Sequence, residues 1–548
     1  MNALLKLVAL SLVLHASLAR AQTCPGCVPL NDLGAGLYLG AHQGGMYPGG
    51  SNNPPALHSA DAAWQAGLVT PRAPSGLPDT RNGLIGFISV GMSNTTQEFA
   101  VFERQEDHNT ARNARVVIVD TAEGGMSADV ISDPAHPYWT RVLDRVASVG
   151  LSPQQVQVAW LKQAQGAPTT TDFPDHALDL KSDLIAIVQQ MRALFPNLRL
   201  CFVSSRIYGG YSTNPLRSEP LSYETGFAFK WLIEDQINAD PALNYGRLPG
   251  PVNSPLLLWG PYLWANGSTP RADGLTWDAT DYEPDFVHPS LAGEQKVADL
   301  LSGFFASDPT AILWNSPRAD TALVALDATD DAFVRTQAPG ANFGAVPTLS
   351  LANSQAQTDT PFLRFDGSSD LRPVLHAKLA LRNQGGQPTP DLYRVEDTSW
   401  SEASITFASA PALTSFVRAV PHFSGGGTTA ADVTLDVRSD PDRTLAYAFT
   451  APPGQFRTFV SKEGGEAPWV VLMTRLPYCL GDANGDLTVD FDDISTVLSE
   501  WLEGPSAPLG DADADGFVDF SDITMVLVRW GSTCPPPAGP PAGQPALP

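Results

Sequence analysis

The sequence predicts a multidomain chain: an α/β unit first, an all-β unit second and a small, acidic, helical unit last. Three observations predict it. Residues 28–308 alternate short β-branched apolar runs with longer stretches of helical period. Residues 320–475 read as short alternating segments broken by glycine turns, and residues 479–534 hold twelve acidic side chains against one basic side chain, Arg529. A length of 548 residues exceeds what one core organises, and 43% hydrophobic content rules out wholesale disorder.

The N-terminus reads as an export signal. Lys6 supplies the charged start, Leu7 to Leu14 the apolar run, and Ala19-Arg20-Ala21 an A-x-A cleavage site, so residues 1–21 form a signal peptide. The chain is expected to be secreted, extracellular or held at the cell surface, where disulfides persist. Cys24 and Cys27 form a lone CxxC; zinc would want a second pair, so a local disulfide is expected. No later stretch approaches the roughly 18 apolar residues of a membrane span. The formal charge of −25 argues against nucleic acid as a partner.

In the first unit the apolar runs are Leu84–Gly91, Arg115–Ala122, Gln155–Lys162, Leu198–Ser205 and Pro255–Tyr262. Asp175–Phe195, Tyr223–Ile237 and Gly293–Phe305 carry the helical period. Strands alternating with helices predict a parallel sheet covered on both faces.

Two segments of this unit carry chemistry. Ser93 follows the first strand after Gly91 and ahead of a helix, a position that can expose a hydroxyl above a sheet edge; a plain helix N-cap is the competing role. Asp285-Phe286-Val287-His288-Pro289 sets a carboxylate three residues before a histidine and ahead of the final helix. Asp285 can fix the tautomer of His288 while the other ring nitrogen faces a nucleophile. These residues resemble the SGNH, or GDSL-like, hydrolase superfamily over about residues 28–308. The resemblance implies a three-layer, flavodoxin-like α/β fold, with Ser93 as nucleophile, His288 as general base and Asp285 as its orienter. It also implies an oxyanion-hole glycine at Gly124 or Gly125. Where the family carries Gly-x-Asn-Asp, this chain reads Lys162-Gln163-Ala164-Gln165, and Gln163 is the amide that can replace the missing donor. Ser204–Tyr208 and Trp259–Trp264 each follow a strand; their aromatics suit either sugar faces or ordinary loop packing.

In the second unit, Asp331 to Arg335, Asn342-Phe343-Gly344, Phe362 to Asp366, Trp400-Ser401-Glu402 and Ile405-Thr406 resemble the DNRLRE-type β-sandwich. The resemblance implies either a rigid spacer or a polysaccharide-binding module.

The third unit is a repeat. Gly481-Asp482-Ala483-Asn484-Gly485-Asp486 recurs 29 residues later as Gly510-Asp511-Ala512-Asp513-Ala514-Asp515. Oxygen ligands fall at loop positions 1, 3, 5, 9 and 12: Asp482, Asn484, Asp486, Asp490 and Asp493, then Asp511, Asp513, Asp515, Asp519 and Asp522. The backbone carbonyls of Thr488 and Phe517 complete each set for calcium, a hard cation that takes six to eight oxygens. An apolar helix follows each loop. The pair resembles a dockerin, which implies structural Ca2+ and a cohesin-bearing partner; a calcium-set spacer is the alternative. Cys479 and Cys534 bracket the unit and can be joined by a disulfide. The Pro-rich residues 535–548 have no reason to fold.

The expected function is a secreted serine esterase with no catalytic metal, removing O-acetyl or similar short acyl groups from carbohydrate. The alternatives are a lipase or arylesterase on the same triad, or an inactive surface attachment protein acting through its β module and dockerin.

Overall fold

A computed structural model describes residues 24, 26–318, 320–386, 389–421, 426–476, 481–484, 488–499, 501, 510, 512 and 518–533. The signal peptide, Cys479, Cys534, Asp486, Asp511, Asp513, Asp515, Phe517 and the tail 535–548 lie outside the described residues.

The α/β unit is built on five strands: β1 (Ile85–Gly91), β2 (Val116–Val119), β3 (Val156–Lys162), β4 (Leu200–Ser204) and β5 (Leu256–Trp259). They pair in parallel in the order β2-β1-β3-β4-β5. Every residue of all five is buried, which is why they read as continuous apolar runs rather than alternating ones. The main helices are α1 (Ser93–Asp107), α2 (Tyr138–Ser148), α3 (Asp175–Leu194), α4 (Leu221–Ile237) and α5 (Leu291–Ser307). α1 packs on α5 and α3 on α4, so the sheet lies between helical layers. The strand order reverses direction between β1 and β3. At such a switch point the crossovers part, leaving a crevice beyond the carboxyl ends of the strands.

Among the described residues the second unit contains eleven strands: β6 (Thr321–Asp327), β7 (Asp330–Arg335), β8 (Thr348–Asn353), β9 (Thr358–Asp366), β10 (Val374–Gly386), β11 (Asp391–Arg394), β12 (Ser415–Ala419), β13 (Thr428–Asp432), β14 (Thr444–Thr450), β15 (Gln455–Val460) and β16 (Trp469–Arg475). All pairings are antiparallel. Where two separate layers were expected, one large sheet curls over a common core. The long strand β10 makes the turn: it pairs with β13 and β16 along most of its length and with β15 beyond a register shift at Asn383/Gly385.

This unit is docked on the first rather than tethered to it. Leu323, Leu375, Ala380, Ala430, Trp469, Val471 and Met473 belong to the same apolar core as the α/β sheet. Buried Lys378 Nζ reaches Glu103 (2.7 Å), Asp107 (2.8 Å) and the Ile118 carbonyl (2.9 Å). His376 Nε2 lies 2.7 Å from the Val149 carbonyl, and Trp469 Nε1 donates to Asp107 (2.9 Å).

In the third unit the described residues include α6 (Phe491–Ser499) and α7 (Phe520–Arg529), packed through Val489, Val497 and Val526. The repeats interlock: Gly481 N–H donates to the Ala512 carbonyl (2.8 Å), and Gly531 N–H to Val489 (2.9 Å).

Candidate active site

The serine segment leaves a strand of the α/β unit at its carboxyl end. Gly91 closes β1 and lets α1 start at once: a Cβ there would run into Thr95 Oγ1 and the Lys162 carbonyl. Ser93 is the first residue of α1, and Met92 occupies the cap position, so the N-cap role is not that of Ser93. Its N–H lies in the first turn, among donors without intrahelical partners and at the positive end of the helix dipole.

The histidine arrives on the turn before α5. Phe286 takes φ +53°, a left-handed conformation uncommon for a bulky residue, and this folds the turn back on Asp285. Asp285 Oδ1 accepts the N–H groups of Val287 (2.9 Å) and His288 (3.0 Å), while Oδ2 lies 2.6 Å from His288 Nδ1. Against the opposing push of desolvation, these donors hold the Asp285 carboxyl below its ordinary range. His288 Nε2 in turn lies 2.8 Å from Ser93 Oγ. Ser290, not His288, caps α5. Asn94 Nδ2 donates to the Val287 carbonyl (2.8 Å), tying the histidine turn to α1. Hydroxyl, imidazole and carboxylate therefore form one hydrogen-bonded chain, with Nδ1–H directed to Asp285 and a lone pair on Nε2 facing the serine.

This chain opens onto a cavity of about 350 Å³ lined by Met92, Ser93, Asn94, Gly125, Ser127, Gln165, Gly166, Arg206, Arg217 and His288. Of the two glycines after β2, Gly125 faces it, at φ +82°; Gly124 is not among the lining residues. The Gly125 loop is anchored below by buried Asp120, which accepts from Ser89 Oγ (2.6 Å) and from Thr96 Oγ1.

Gln163 requires a correction. It is fully buried, and its side-chain amide donates to the Met126 carbonyl (2.9 Å), so it supports the loop behind the cavity and does not line it. The amide that reaches the cavity is that of Gln165, whose Nε2 also donates to Asp183 (2.8 Å). β3 ends at Lys162, so residues 163–165 follow an irregular path whose side-chain directions spacing does not specify. The aromatic loops resolve toward packing. Tyr208, Tyr262 and Trp264 are buried, and Trp259 Nε1 and Trp264 Nε1 donate to Met46 O (2.6 Å) and Glu219 (2.9 Å). From those two stretches only Arg206 lines the cavity. Asn94, Gln165 and Arg217 went unread; Asn94 was discoverable as the neighbour of Ser93, whereas Arg217 sits in an irregular loop with no periodic signal.

In the third unit the last ligand position of each loop closes that loop. Fully buried Asp493 accepts the N–H groups of Asn484 and Asp490, both at 2.8 Å. Asp522, equally buried, accepts those of Ala512 (2.5 Å) and Asp519 (2.8 Å). Cys24 and Cys27 are disulfide-bonded.

The motif residues of the β unit act as internal struts. Asn342 Nδ2 donates to the carbonyls of Glu402 (2.6 Å) and Ile405 (2.8 Å), and Trp400 packs on Phe362.

Residues 322–474 match carbohydrate-binding module family 96. No curated protein matches the chain. Among solved structures, a crystal structure of CapF with inhibitor 3-isopropenyl-tropolone aligns at 8% identity, over 71% of this chain and 96% of that one. Its TM-score of 0.12 carries no argument. Among the described residues no helix is long and apolar enough to cross a membrane.

Proposed function

We propose that the chain is an exported serine esterase of the SGNH type that removes short acyl groups, such as acetyl, from carbohydrate. The observation that carries the reading is the continuous Ser93–His288–Asp285 hydrogen-bond chain at the switch point of the sheet. Ser93 Oγ attacks the acyl carbon as its proton passes to His288 Nε2, and the Asp285 carboxylate stabilises the imidazolium that forms. The Gly125 and Ser93 N–H groups stand at the oxyanion. Collapse breaks the acyl C–O bond, and the sugar hydroxyl leaves with the proton from His288. Water, deprotonated by the same imidazole, then releases the acyl group as its acid and restores the serine.

The module match supports a carbohydrate substrate, which the β unit would hold near the cleft. The acidic repeats form a dockerin-like unit. Asp482, Asn484, Asp490 and Asp493 of the first loop, and Asp519 and Asp522 of the second, would hold structural Ca2+ with Asp486, Thr488, Asp511, Asp513, Asp515 and Phe517. Loop closure supports this reading: buried Asp493 and Asp522 each accept backbone N–H groups from both ends of their loop, which holds the loop compact as a bound hard cation requires. A cohesin-bearing protein is the corresponding partner.

The test is labelling of the full chain by a fluorophosphonate together with acetate release from acetylated polysaccharides. Both are expected in the wild type and absent in Ser93→Ala. A folded chain that refuses the probe and releases no acetate would favour a surface attachment protein instead. Preference for long acyl chains would favour a lipase.

A further inference from the structure

The cavity beside Ser93 contains two cations for which ester hydrolysis has no use. Arg206 follows β4 and is only 6% exposed; half-buried Arg217 lines the same space. Among the described residues neither guanidinium donates a hydrogen bond or forms an ion pair. This sets Arg206 apart from the eight other buried arginines, each of which donates to an oxygen of the protein: Arg112 to Asp107 (3.2 Å) and Arg457 to Asn383 (3.1 Å), for example. The Arg206 and Arg217 nitrogens therefore open onto the cavity with no protein oxygen among the described residues to take them, and are left to an oxygen ligand that enters it.

Among the described residues no internal partner is free. Glu219, the strongest negative influence on Arg206, is already committed to the N–H groups of Gly209 (2.7 Å) and Tyr223 (3.0 Å) and to Trp264 Nε1 (2.9 Å). None of the ten residues lining the cavity is an aspartate or glutamate, in a chain of formal charge −25. Burial lowers the Arg206 pKa and the neighbouring Arg217 lowers it further, against the pull of Glu219, so the pair gains from any anion placed between them. A guanidinium fork matches a carboxylate or sulfate with two parallel hydrogen bonds.

We propose that Arg206 and Arg217 form an anion subsite of the cleft, and that the substrate is an acylated acidic glycan whose ester lies beside a carboxylate or sulfate group. This rests on the esterase reading of the same cavity.

The experiment uses the full chain and four substrates: acetylated oligogalacturonate, its methyl-esterified neutral form, an acetylated sulfated oligosaccharide, and 4-nitrophenyl acetate. The wild type is expected to favour the acidic glycan over its methyl-esterified form by about tenfold or more in kcat/KM, through KM and less so at high salt. In Arg217→Gln that ratio should fall toward one. Arg206→Lys, which keeps the charge and removes the fork, should lower it as well. The larger preference, for oligogalacturonate or for the sulfated glycan, identifies the anion. Equal rates on acidic and neutral glycans, with 4-nitrophenyl acetate cleaved, would overturn the subsite and leave the esterase intact. If no ester is cleaved, calorimetry decides: oligogalacturonate binding weakened in Arg217→Gln supports the subsite, and binding unchanged by the substitution refutes it.

Discussion

At the scale of residues, the Asp285 turn does two jobs with one carboxylate. One oxygen braces the backbone of Val287 and His288, and the other takes the imidazole Nδ1. Asp285→Asn keeps an acceptor for the backbone but can present N–H to the ring and invert its tautomer, so hydrolysis should fall by about 10²–10⁴-fold with folding unchanged. Steady-state kinetics and thermal unfolding of the variant check this. Because its donors depress the Asp285 pKa, the carboxylate keeps its charge to lower pH than an ordinary aspartate does. Ser93, Asp285 and His288 were legible from sequence because each sits at a strand end or helix start. Gln163 supports the loop behind the cavity and Gln165 lines it, a distinction the sequence cannot make because both carry the same amide and the chain leaves regular structure after Lys162.

At the scale of elements, the crevice exists because β1 hands over to α1 with almost no loop. Gly91→Ala would force a methyl group against Thr95 and the Lys162 carbonyl and push Ser93 away from His288. Its expected cost is about 1–3 kcal/mol in denaturant unfolding together with a disproportionate loss of hydrolysis, because a misplacement near 1 Å is worth about 10²-fold. None of the described residues of the paired acidic loops lines the cavity. Calcium chelation is expected to unfold residues 479–534 and to leave ester cleavage nearly unchanged, followed by proteolysis of the tail region beside acetate release. Equal loss of both would mean that the repeats support the catalytic unit.

At the scale of the whole molecule, the β unit is part of the α/β unit's core. Lys378 carries much of that union: it is buried and faces two carboxylates, Glu103 and Asp107, in the first unit. Lys378→Met strands the buried Glu103 charge, while Asp107 keeps Arg112 and Trp469, and the expected loss is about 3–5 kcal/mol, read as a lowered denaturation midpoint. An outer contact brings His108 within 3.2 Å of Asp327. Burial opposes protonation of His108, but the hydrogen bonds to Asp327 and the Arg104 carbonyl outweigh it and raise the pKa above 6.5. The resulting stabilisation is full below 6.5 and is lost as pH rises through the raised folded value. Asp327→Asn should remove this dependence from thermal unfolding curves recorded across neutral pH.

The sequence by itself determined the strands of the parallel sheet and most of its helices, though not α2, together with the serine and histidine segments and the repeat of the acidic loops. These are local signals: period, spacing and residue type survive without a third dimension. Only the tertiary structure decided that the β unit shares a core with the first, that Gln165 rather than Gln163 borders the cavity, and that two arginines line it with no protein partner among the described residues. Those facts depend on which side chains from distant segments converge and which way each one points, and burial sets that direction only once the chain has closed around its sheet.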